Sequence, residues 1–289
     1  MVEGMVSIVI PVYNEEEAIA GEIEAVIATM GKTDYEWELI VVNDGSTDRT
    51  REIVEGYPQA RLVNHPQNLG GGAARNTGIR RARGDIVVIA DGDGTYPLQD
   101  IPRMVEALED YDMVVGARMR EAGTMKLLRT PAKWFIRKLA EFMTSSKIPD
   151  LNSGMRAIRK ETFMKFIDML PQGHSWVSTI TLSFLSRGYL VGYLPIDYYP
   201  RKGKSTFKPV KDSMNYLMLV YRTVIWFNPL RVFLPLALLL LLGGVGKAAA
   251  DMLRYHLHIA TSTVVILIAA LQIFTIGLLA DLISKRTGL

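Results

Sequence analysis

Two carboxylates separated by one glycine follow a strongly apolar stretch of the sequence. Asp91 and Asp93 come directly after the run 86–90, which is typical of a strand buried on both faces. An unpaired buried charge is too costly to keep, so these acids must be solvated, paired or bound to a cation. A solvated turn remains an alternative, because aspartate and glycine are both favoured in turns.

Oxygen ligands without a neighbouring histidine or cysteine suit a hard divalent cation, so we predict Mg²⁺ or Mn²⁺ at Asp91 and Asp93. Such a cation takes further ligands from substrate phosphates, which predicts a nucleoside diphosphate as the ligand. Arg118, at the end of a later apolar run, would contact the same diphosphate. Tyr13 and Asp44 stand where a base and a ribose need a stacking face and a hydrogen-bond acceptor.

The first 120 residues alternate between strand and helix patterns, which predicts an α/β fold with a mostly parallel sheet. Ligands of such sheets bind beyond the carboxyl ends of the strands. Asn14 is also predicted to cap a helix over 14–30. Four predicted strand ends carry polar or charged groups, which favours a ligand site over solvated turns. The residues at these ends are Pro11, Tyr13, Asn14 and Glu15, then Asn43 and Asp44, then Asp91 and Asp93, then Arg118.

The glycine-rich stretch "NLGGGAARNTG", residues 68–78, has two interpretations. It lacks the Lys-Ser/Thr ending of a P-loop and the spacing of the dinucleotide fingerprint. We therefore favour backbone flexibility and close packing where a loop enters a helix. Direct phosphate binding remains the alternative.

Two long stretches of the C-terminal part, residues 232–246 and 259–280, contain no charge. With its flanks the first approaches the roughly 20 residues of a membrane span, and the second is long enough to cross. We predict a transmembrane hairpin and keep a buried globular hairpin as the alternative. Basic residues are more frequent on the outer flanks of this pair than in its loop, which predicts both termini in the cytoplasm. The first residues lack the basic stretch of a signal peptide, in agreement with that location.

Between the two regions, residues 201–211 are polybasic and residues 214–225 repeat apolar side chains at helical spacing. A core helix with a solvated basic start would share this pattern. Because a membrane span follows directly, we predict an amphipathic helix in the membrane interface over 208–227, with its lysines towards anionic headgroups. The basic stretch would also hold a lipid phosphate beside the metal site.

Composition excludes several classes of protein. The 289 residues include no cysteine, which rules out a disulfide framework, a thiolate zinc site and a cysteine nucleophile. The net charge of +3 gives no indication of a nucleic-acid partner. Nucleic acid is therefore not among the predicted partners.

Several motifs resemble those of family 2 glycosyltransferases with the GT-A fold, a Rossmann-like, mostly parallel α/β sheet. They are "SIVIPVYNEE", "VVNDGSTD", "NLGGGAARNTG", "ADGDGTYP" and "VVGAR", in that order. Later stretches resemble the polyprenyl-phosphate subgroup, which includes dolichyl-phosphate mannose synthases and bacterial polyprenyl-phosphate glucosyltransferases. These stretches are "DLNSGMRAIRKE", "PQGHSWVSTITLSFLSRGY" and "PIDYYPRKGKSTFKP". The resemblance covers about residues 5–210, and a C-terminal membrane hairpin is also seen in that subgroup.

The resemblance implies that Asp91 and Asp93 form the DxD metal motif and act in catalysis together with Arg118. The nucleotide contacts that it implies are made by Pro11, Tyr13, Glu15, Asp44, Asp91 and Gly92. The donor or acceptor phosphate contacts that it implies are made by Arg118, Arg129, Ser153, Arg201 and Lys204. Mannose synthases of the subgroup usually have Gln two places after the second Asp. This chain has Thr95 there, which favours a UDP-sugar over GDP-mannose as the donor.

No acidic residue occurs between Ser175 and Ile196, and the Gln-x-x-Arg-Trp motif of processive synthases is absent. A transferase to a sugar hydroxyl needs a base, whereas a phosphate acceptor is already an anionic nucleophile. We therefore predict a phosphate acceptor. His174 is an alternative base, although a solvated or hydrogen-bonded loop histidine is the favoured interpretation.

Together these observations predict a membrane enzyme of three parts: a cytoplasmic GT-A domain over 1–207, the interfacial helix, and the hairpin over 228–289. It would transfer one sugar, with inversion, from a nucleoside-diphosphate sugar to polyprenyl or dolichyl monophosphate at the cytoplasmic face. A transferase to another lipid or to a glycan hydroxyl remains an alternative, as does an inactive membrane scaffold that binds nucleotide-sugars. Small residues in "GGVG" would allow self-association in the bilayer as a homo-oligomer.

Overall fold

The computed structural model of the protein describes residues 4–118, 137–142, 144–173, 175–200, 225, 229–254 and 259–286. The chain divides into two compact units, Met1–Leu219 and Val220–Leu289. The predicted interfacial helix over 208–227 lies outside the described residues, with the exception of Ile225.

The N-terminal unit is built on one seven-stranded sheet with the order β3-β2-β1-β4-β6-β5-β7. Six strands run parallel to one another, and β6 lies antiparallel between β4 and β5. The mostly parallel α/β sheet predicted from the sequence is thus confirmed, whereas the antiparallel strand was not anticipated. The strands are β1 Val6–Val12, β2 Trp37–Asn43, β3 Ala60–Asn64, β4 Ile86–Ile89, β5 Met113–Arg118, β6 Arg156–Arg159 and β7 Val191–Ile196.

Helices pack on this sheet because their apolar residues recur at helical spacing. In α1 the buried residues Ile19, Ile23, Val26 and Met30 form one face, and they join a core with the inner strands. The helices whose bounds the structure describes in this unit are α1 Ile19–Met30, α2 Thr50–Glu55, α3 Gly71–Arg81, α4 Ile101–Glu106, α5 Lys160–Met164 and α6 Trp176–Ser186, and residues 137–142 are also helical. Short 3₁₀ turns occur at Leu98–Asp100, Ala107–Glu109 and Ile167–Met169.

The prediction that Asn14 caps the first helix is wrong. The helix begins at Ile19, four residues beyond the first position that such a cap would allow. Asn14 has a φ of 55°, which asparagine tolerates better than most residues, and its side-chain oxygen accepts a hydrogen bond from the Thr47 backbone amide at 2.8 Å. The side chain therefore joins the end of β1 to the turn after β2.

The C-terminal unit contains two helices, α7 Leu230–Arg254 and α8 Thr261–Arg286, each long and apolar enough to cross a membrane. They form the predicted hairpin, in which Gly244 packs against Leu267 and Gly277 packs against Phe233. In the most apolar 18-residue stretch of each helix, only 11% of α7 and 17% of α8 is buried within the described chain. A buried globular hairpin would hide far more of this surface, so the exposed leucines and isoleucines argue for a lipid environment.

The end of the hairpin opposite its termini carries a polar cluster. Asp251 pairs with Lys247 Nζ at 3.0 Å and accepts hydrogen bonds from the Ala260 amide and the Thr263 hydroxyl. These bonds satisfy free donors at the start of α8, as a helix cap does. Of the "GGVG" glycines, Gly244 packs inside the hairpin, while a Cβ added at Gly243 or Gly246 would meet no described atom within 4 Å beyond its own stretch of helix. The homo-oligomer stays a prediction.

Candidate active site

The carboxyl ends of β1, β2 and β4 lie side by side at one edge of the sheet. Val12 is in register with Asn43, and the strand preceding Asp91 pairs with β1 as far as Ile89. Gly92 lies directly against β1, because a Cβ added there would approach the Val12 side chain to 2.5 Å. The edge thus brings the 91–93 loop against β1 and leaves no room for a side chain between its two acids.

Asp91 is held between a cation and a glycine. Its Oδ1 atom forms an ion pair with Arg75 Nη2 of α3, and a Cβ added at Gly154 would come too close to its Oδ2 atom. Gly154 donates its amide hydrogen to the Tyr96 hydroxyl at 2.7 Å. The loop before β6 and the loop after β4 are therefore fitted to each other around one carboxylate.

Asp93 is oriented by Thr95, which lies two residues later in the same loop. Its Oδ1 atom accepts a hydrogen bond from the Thr95 hydroxyl at 2.6 Å and another from the Thr95 amide at 3.3 Å. The Thr95 carbonyl in turn accepts a hydrogen bond from the Tyr199 amide at 3.0 Å. Thr95, on which the predicted preference for a UDP-sugar rests, thus contacts Asp93, a predicted metal ligand, directly.

Arg118 forms a nearly buried, two-pronged ion pair with Asp150. Its Nε and Nη2 atoms lie 2.7 and 3.0 Å from the two carboxylate oxygens, and its backbone amide donates to the same group at 3.2 Å. The Tyr198 ring lies 5.2 Å from the guanidinium, within cation–π range. Arg118 is therefore anchored before any ligand arrives.

The two partners shift each other's pKa. Burial alone would lower the pKa of Arg118, but the hydrogen bonds and charge of Asp150 outweigh it and raise that pKa above its ordinary value. Burial alone would raise the pKa of Asp150, but the hydrogen bonds and charge of Arg118 lower it. Both groups are thus charged throughout the neutral range.

The loop over 150–154 contains another predicted residue, Ser153, and rests on a buried arginine. Arg156 donates to the Ser153 carbonyl from Nε at 3.0 Å and from Nη2 at 2.8 Å, and to the Thr181 hydroxyl at 2.6 Å. Burial lowers the pKa of Arg156 to about 10, which still leaves it charged at neutral pH. Ser153 itself has an exposed fraction of 0%, so direct contact with a phosphate would require the loop to move. Its phosphate-binding role stays a prediction.

The predicted nucleotide-binding residues of β1 and β2 differ in exposure. Tyr13 is exposed, Pro11 is partly buried and Glu15 is buried. Asp44 is buried too, and both of its carboxylate oxygens are engaged. Oδ1 lies 2.7 Å from His65 Nδ1 and accepts from the Leu69 amide, and Oδ2 accepts from the Gly70 amide at 2.8 Å. Asp44 thus fixes the start of the glycine-rich stretch beside the strand ends.

The glycine-rich stretch packs against a distant segment of the chain. The amides of Gly72 and Ala73, in the first turn of α3, both donate to the Gln172 carbonyl, at 2.7 and 3.1 Å. A Cβ at Gly70 or Gly72 would overlap with residues 171–172, and Gly70 also has a φ of 100°. The close-packing interpretation is confirmed, and the two amides that would otherwise bind a phosphate already have an acceptor.

Several predicted residues cannot be placed. Arg129, Arg201 and Lys204, and the alternative base His174, lie outside the described residues. The residues that sequence reasoning missed are Arg75, Tyr96, Asp150 and Gly154. Their motifs were recognised as "NLGGGAARNTG", "ADGDGTYP" and "DLNSGMRAIRKE", but nothing local in those stretches indicates that they meet.

The donor groups of the edge fit the predicted Mg²⁺ or Mn²⁺. In the described ranges no group of three or more His, Asp or Glu side chains comes together, so the protein offers fewer ligands than a metal enclosed by protein would need. Asp91 and Asp93 provide hard oxygen atoms beside a solvent-accessible edge. Two carboxylates with substrate phosphates and water as further ligands form a typical magnesium site.

Comparison with known protein families identifies the sheet unit and the hairpin separately. Residues 7–167 match the model described as "Glycosyl transferase family 2". The chain belongs to this family. Residues 228–285 match the "GtrB C-terminal hairpin". The chain is therefore a glycosyltransferase with two apolar C-terminal helices, which indicates a membrane protein.

Two curated relatives cover most of this glycosyltransferase. Dodecaprenyl-phosphate galacturonate synthase of Rhizobium johnstonii is 29% identical over 96% of this chain and 87% of its own length. Dolichyl-phosphate hexose transferase of Haloferax volcanii is 32% identical over 70% of this chain and 86% of its own length. The recognised polyprenyl-phosphate subgroup is thus confirmed as the group of relatives.

Solved structures confirm the GT-A fold. Glucosyl-3-phosphoglycerate synthase of Mycobacterium tuberculosis, in complex with Mn²⁺, UDP and glucosyl-3-phosphoglycerate, aligns with a TM-score of 0.58 and 23% identity. The alignment covers 76% of this chain and 78% of that chain. The same enzyme in complex with Mg²⁺ and UDP aligns with a TM-score of 0.58 and 22% identity over the same shares. At this identity the likeness concerns the fold.

Proposed function

We propose that this glycosyltransferase moves one sugar from a nucleoside-diphosphate sugar to polyprenyl or dolichyl monophosphate, with inversion at the anomeric carbon. The observation that carries the proposal is the combination, in one chain, of the acid-bearing sheet edge and a pair of helices long enough to cross a membrane. The names of the two curated relatives support a polyprenyl-phosphate acceptor. Thr95, in place of the Gln of mannose synthases, supports a UDP-hexose rather than GDP-mannose.

The reaction needs no protein base. An oxygen atom of the lipid phosphate attacks the anomeric carbon, and the bond between that carbon and the nucleoside diphosphate breaks with its electron pair on the diphosphate. The acceptor phosphate is already anionic, which agrees with the buried and acid-free helix α6. When bound at Asp91 and Asp93, Mg²⁺ or Mn²⁺ supplies positive charge that stabilises the departing diphosphate.

The chain's own residues orient the donor and hold charge in place. Exposed Tyr13 stacks on the nucleotide base, and Pro11, Glu15, Asp44 and Gly92 shape the nucleotide pocket. Arg118 faces the diphosphate from its Asp150 anchor, so its charge is fixed before the reaction begins, which is the arrangement that favours electrostatic catalysis. The acceptor phosphate is held by the basic residues Arg129, Arg201 and Lys204, with Ser153 reached when its loop moves.

The proposed enzyme is a multi-pass protein of the cell membrane. In the proposed orientation the sheet unit and both termini are cytoplasmic, and the basic residues that flank the outer ends of the hairpin in the sequence support this orientation. Nucleoside-diphosphate sugars would then reach the active site from the cytoplasm. The polybasic segment 201–211 lies next to anionic headgroups in this arrangement.

The proposal is tested with the full chain in nanodiscs and a panel of radiolabelled UDP- and GDP-sugars. The acceptors are polyprenyl phosphate, the corresponding polyprenol and a glycolipid with free hydroxyls. We expect a product that extracts into organic solvent with polyprenyl phosphate alone, and we expect chelator to abolish it. Equal transfer to the polyprenol would indicate a hydroxyl acceptor instead. Metal-dependent nucleotide binding without turnover of any donor would indicate the inactive scaffold.

Replacing Asp93 with Asn provides the active-site control. We expect the rate to fall by a factor of about 10²–10³, because a charge that stabilises the transition state is lost. Asp85→Asn is the matched variant, since Asp85 is exposed at the opposite end of β4. It is expected to retain wild-type activity, and both variants should keep the wild-type unfolding temperature within about 2 °C. Full activity of Asp93→Asn in excess chelator would exclude the metal role.

A further inference from the structure

Arg75 is the one residue of the glycine-rich stretch whose charge enters the acid-bearing edge in the part of the chain that the structure describes. It lies in the second turn of α3, and its Nη2 atom pairs with Asp91 Oδ1. The proposed reaction requires Asp91 to face a divalent cation, yet in this structure a protein cation already lies against it. The negative charge of Asp91 is therefore offset by a side chain of the protein itself.

The position of Arg75 is fixed by its surroundings. The residue is 9% exposed, and its guanidinium carbon lies 5.6 Å from the centre of the Trp176 ring. Its Nε atom is buried and has no hydrogen-bond partner among the described residues. Burying a guanidinium is costly unless it is paired, so the ion pair with Asp91 offsets part of the cost of burying Arg75.

We propose that Arg75 is a resident counter-cation for Asp91, which prevents strong binding of a free divalent cation and makes metal binding depend on the nucleoside diphosphate. This inference rests on the proposed function, because it takes the diphosphate to be the ligand of the edge. Without nucleotide, a metal ion must compete with the guanidinium for Asp91 and is repelled by its charge. With nucleotide, the phosphate charges attract both cations, so metal and diphosphate bind together.

Arg75 thereby gives the site an order of binding. An edge with two unpaired carboxylates would bind any free divalent cation and would repel the diphosphate before that cation arrived. With Arg75 in place, Asp91 is already paired before any ligand binds, and the edge accepts the metal–nucleotide complex as one unit. Trp176, the first residue of α6, holds this part of α3 in place: its ring lies beside Arg75, and its Nε1 atom donates a hydrogen bond to the Asn76 side-chain oxygen at 2.7 Å.

The test measures Mn²⁺ binding to the full chain in nanodiscs, without donor or acceptor, by calorimetry and by electron paramagnetic resonance of free Mn²⁺. Arg75→Gln removes the competing charge, so we expect it to bind free Mn²⁺ at least about tenfold more tightly than wild type. Mn²⁺ should also raise the unfolding temperature of this variant more than that of wild type. Arg80→Gln is the matched control on the same helix, since Arg80 is exposed and pairs with exposed Asp168. It is expected to bind Mn²⁺ like wild type.

A second variant keeps the test decisive if Arg75→Gln unfolds. Arg75→Lys retains the positive charge, so its affinity for free Mn²⁺ should stay within about threefold of wild type. Unchanged or weaker Mn²⁺ binding by Arg75→Gln would overturn the inference, and so would tightening of tenfold by Arg75→Lys. A wild-type Mn²⁺ affinity that UDP does not change would overturn it as well. Because no sugar transfer is measured, a wrong acceptor in the transfer panel leaves these outcomes intact.

Discussion

Replacing Asp150 with Asn is expected to lower the free energy of unfolding of the sheet unit by about 3–5 kcal/mol. The carboxylate receives three donors from Arg118, at 2.7, 3.0 and 3.2 Å, and the two side chains are only 13% and 11% exposed. Asparagine keeps the shape but removes the charge, so the guanidinium remains buried without its counter-ion. For a unit of this size each kcal/mol lowers the unfolding temperature by about 2–4 °C, which gives a decrease of roughly 6–20 °C.

Arg80 and Asp168 provide a control with the same short contact and different burial. This pair also lies at 2.7 Å, but its side chains are 51% and 88% exposed. Water screens exposed pairs, so Asp168→Asn should cost only about 0–1 kcal/mol and shift the unfolding temperature by at most a few degrees. The two variants thus separate the effect of burial from that of contact distance.

The measurement is thermal unfolding of the full chain followed by near-ultraviolet circular dichroism, which reports on the sheet unit through its aromatic residues. The double variant Arg118→Met/Asp150→Asn completes a cycle, and it is expected to be more stable than Asp150→Asn because the unpaired charge has been removed. Equal shifts for Asp150→Asn and Asp168→Asn would refute the argument from burial. A double variant less stable than both single variants would refute the argument from the uncompensated charge.

Two further predictions concern the same loops. Gly154→Ala places a Cβ against the Asp91 carboxylate, so we expect kcat/KM to fall by at least about 100-fold. The control is Gly21→Ala, whose added Cβ meets nothing within 4 Å and should leave kcat/KM unchanged. A Gly154→Ala enzyme with wild-type kcat/KM would contradict the close fit. The pKa of Asp150 is lowered in the folded chain, so its stabilising contribution is present above about pH 5 and is lost as the pH falls below the ordinary carboxyl range. In urea titrations the difference in unfolding free energy between wild type and Asp150→Asn should therefore shrink with acid, and a difference that grew with acid would reverse the assigned sign.

The sequence was sufficient for features that depend on local pattern. The apolar run before Asp91 predicted β4 because a strand covered on both faces needs no polar residue until it ends. The hairpin was equally readable, since a membrane span is a matter of length and apolar composition. Both patterns are complete within about 25 residues, so no distant contact was needed to interpret them.

Features that depend on distant contacts escaped the sequence. Asp150 lies 32 residues after Arg118, and a buried ion pair leaves no periodic signal in either stretch. The antiparallel strand β6 has the sequence Arg-Ala-Ile-Arg, which neither alternates between apolar and polar residues nor forms a continuous apolar run. Asn14 was assigned to a helix cap because local rules favour that role, but its side chain bonds to Thr47 across the edge of the sheet. In each case a tertiary contact decided the outcome.

The contact between α3 and the Gln172 carbonyl has a consequence for the biosynthesis of the chain. The first-turn amides of α3 can find this acceptor only after about a hundred further residues have been translated. At typical translation rates of about 5–20 residues per second, that interval lasts roughly 5–20 s. During this time the amino end of α3, and with it the helix that carries Arg75, must remain hydrated or be covered by a chaperone. The acid-bearing edge is therefore completed late in synthesis, shortly before the hydrophobic hairpin leaves the ribosome.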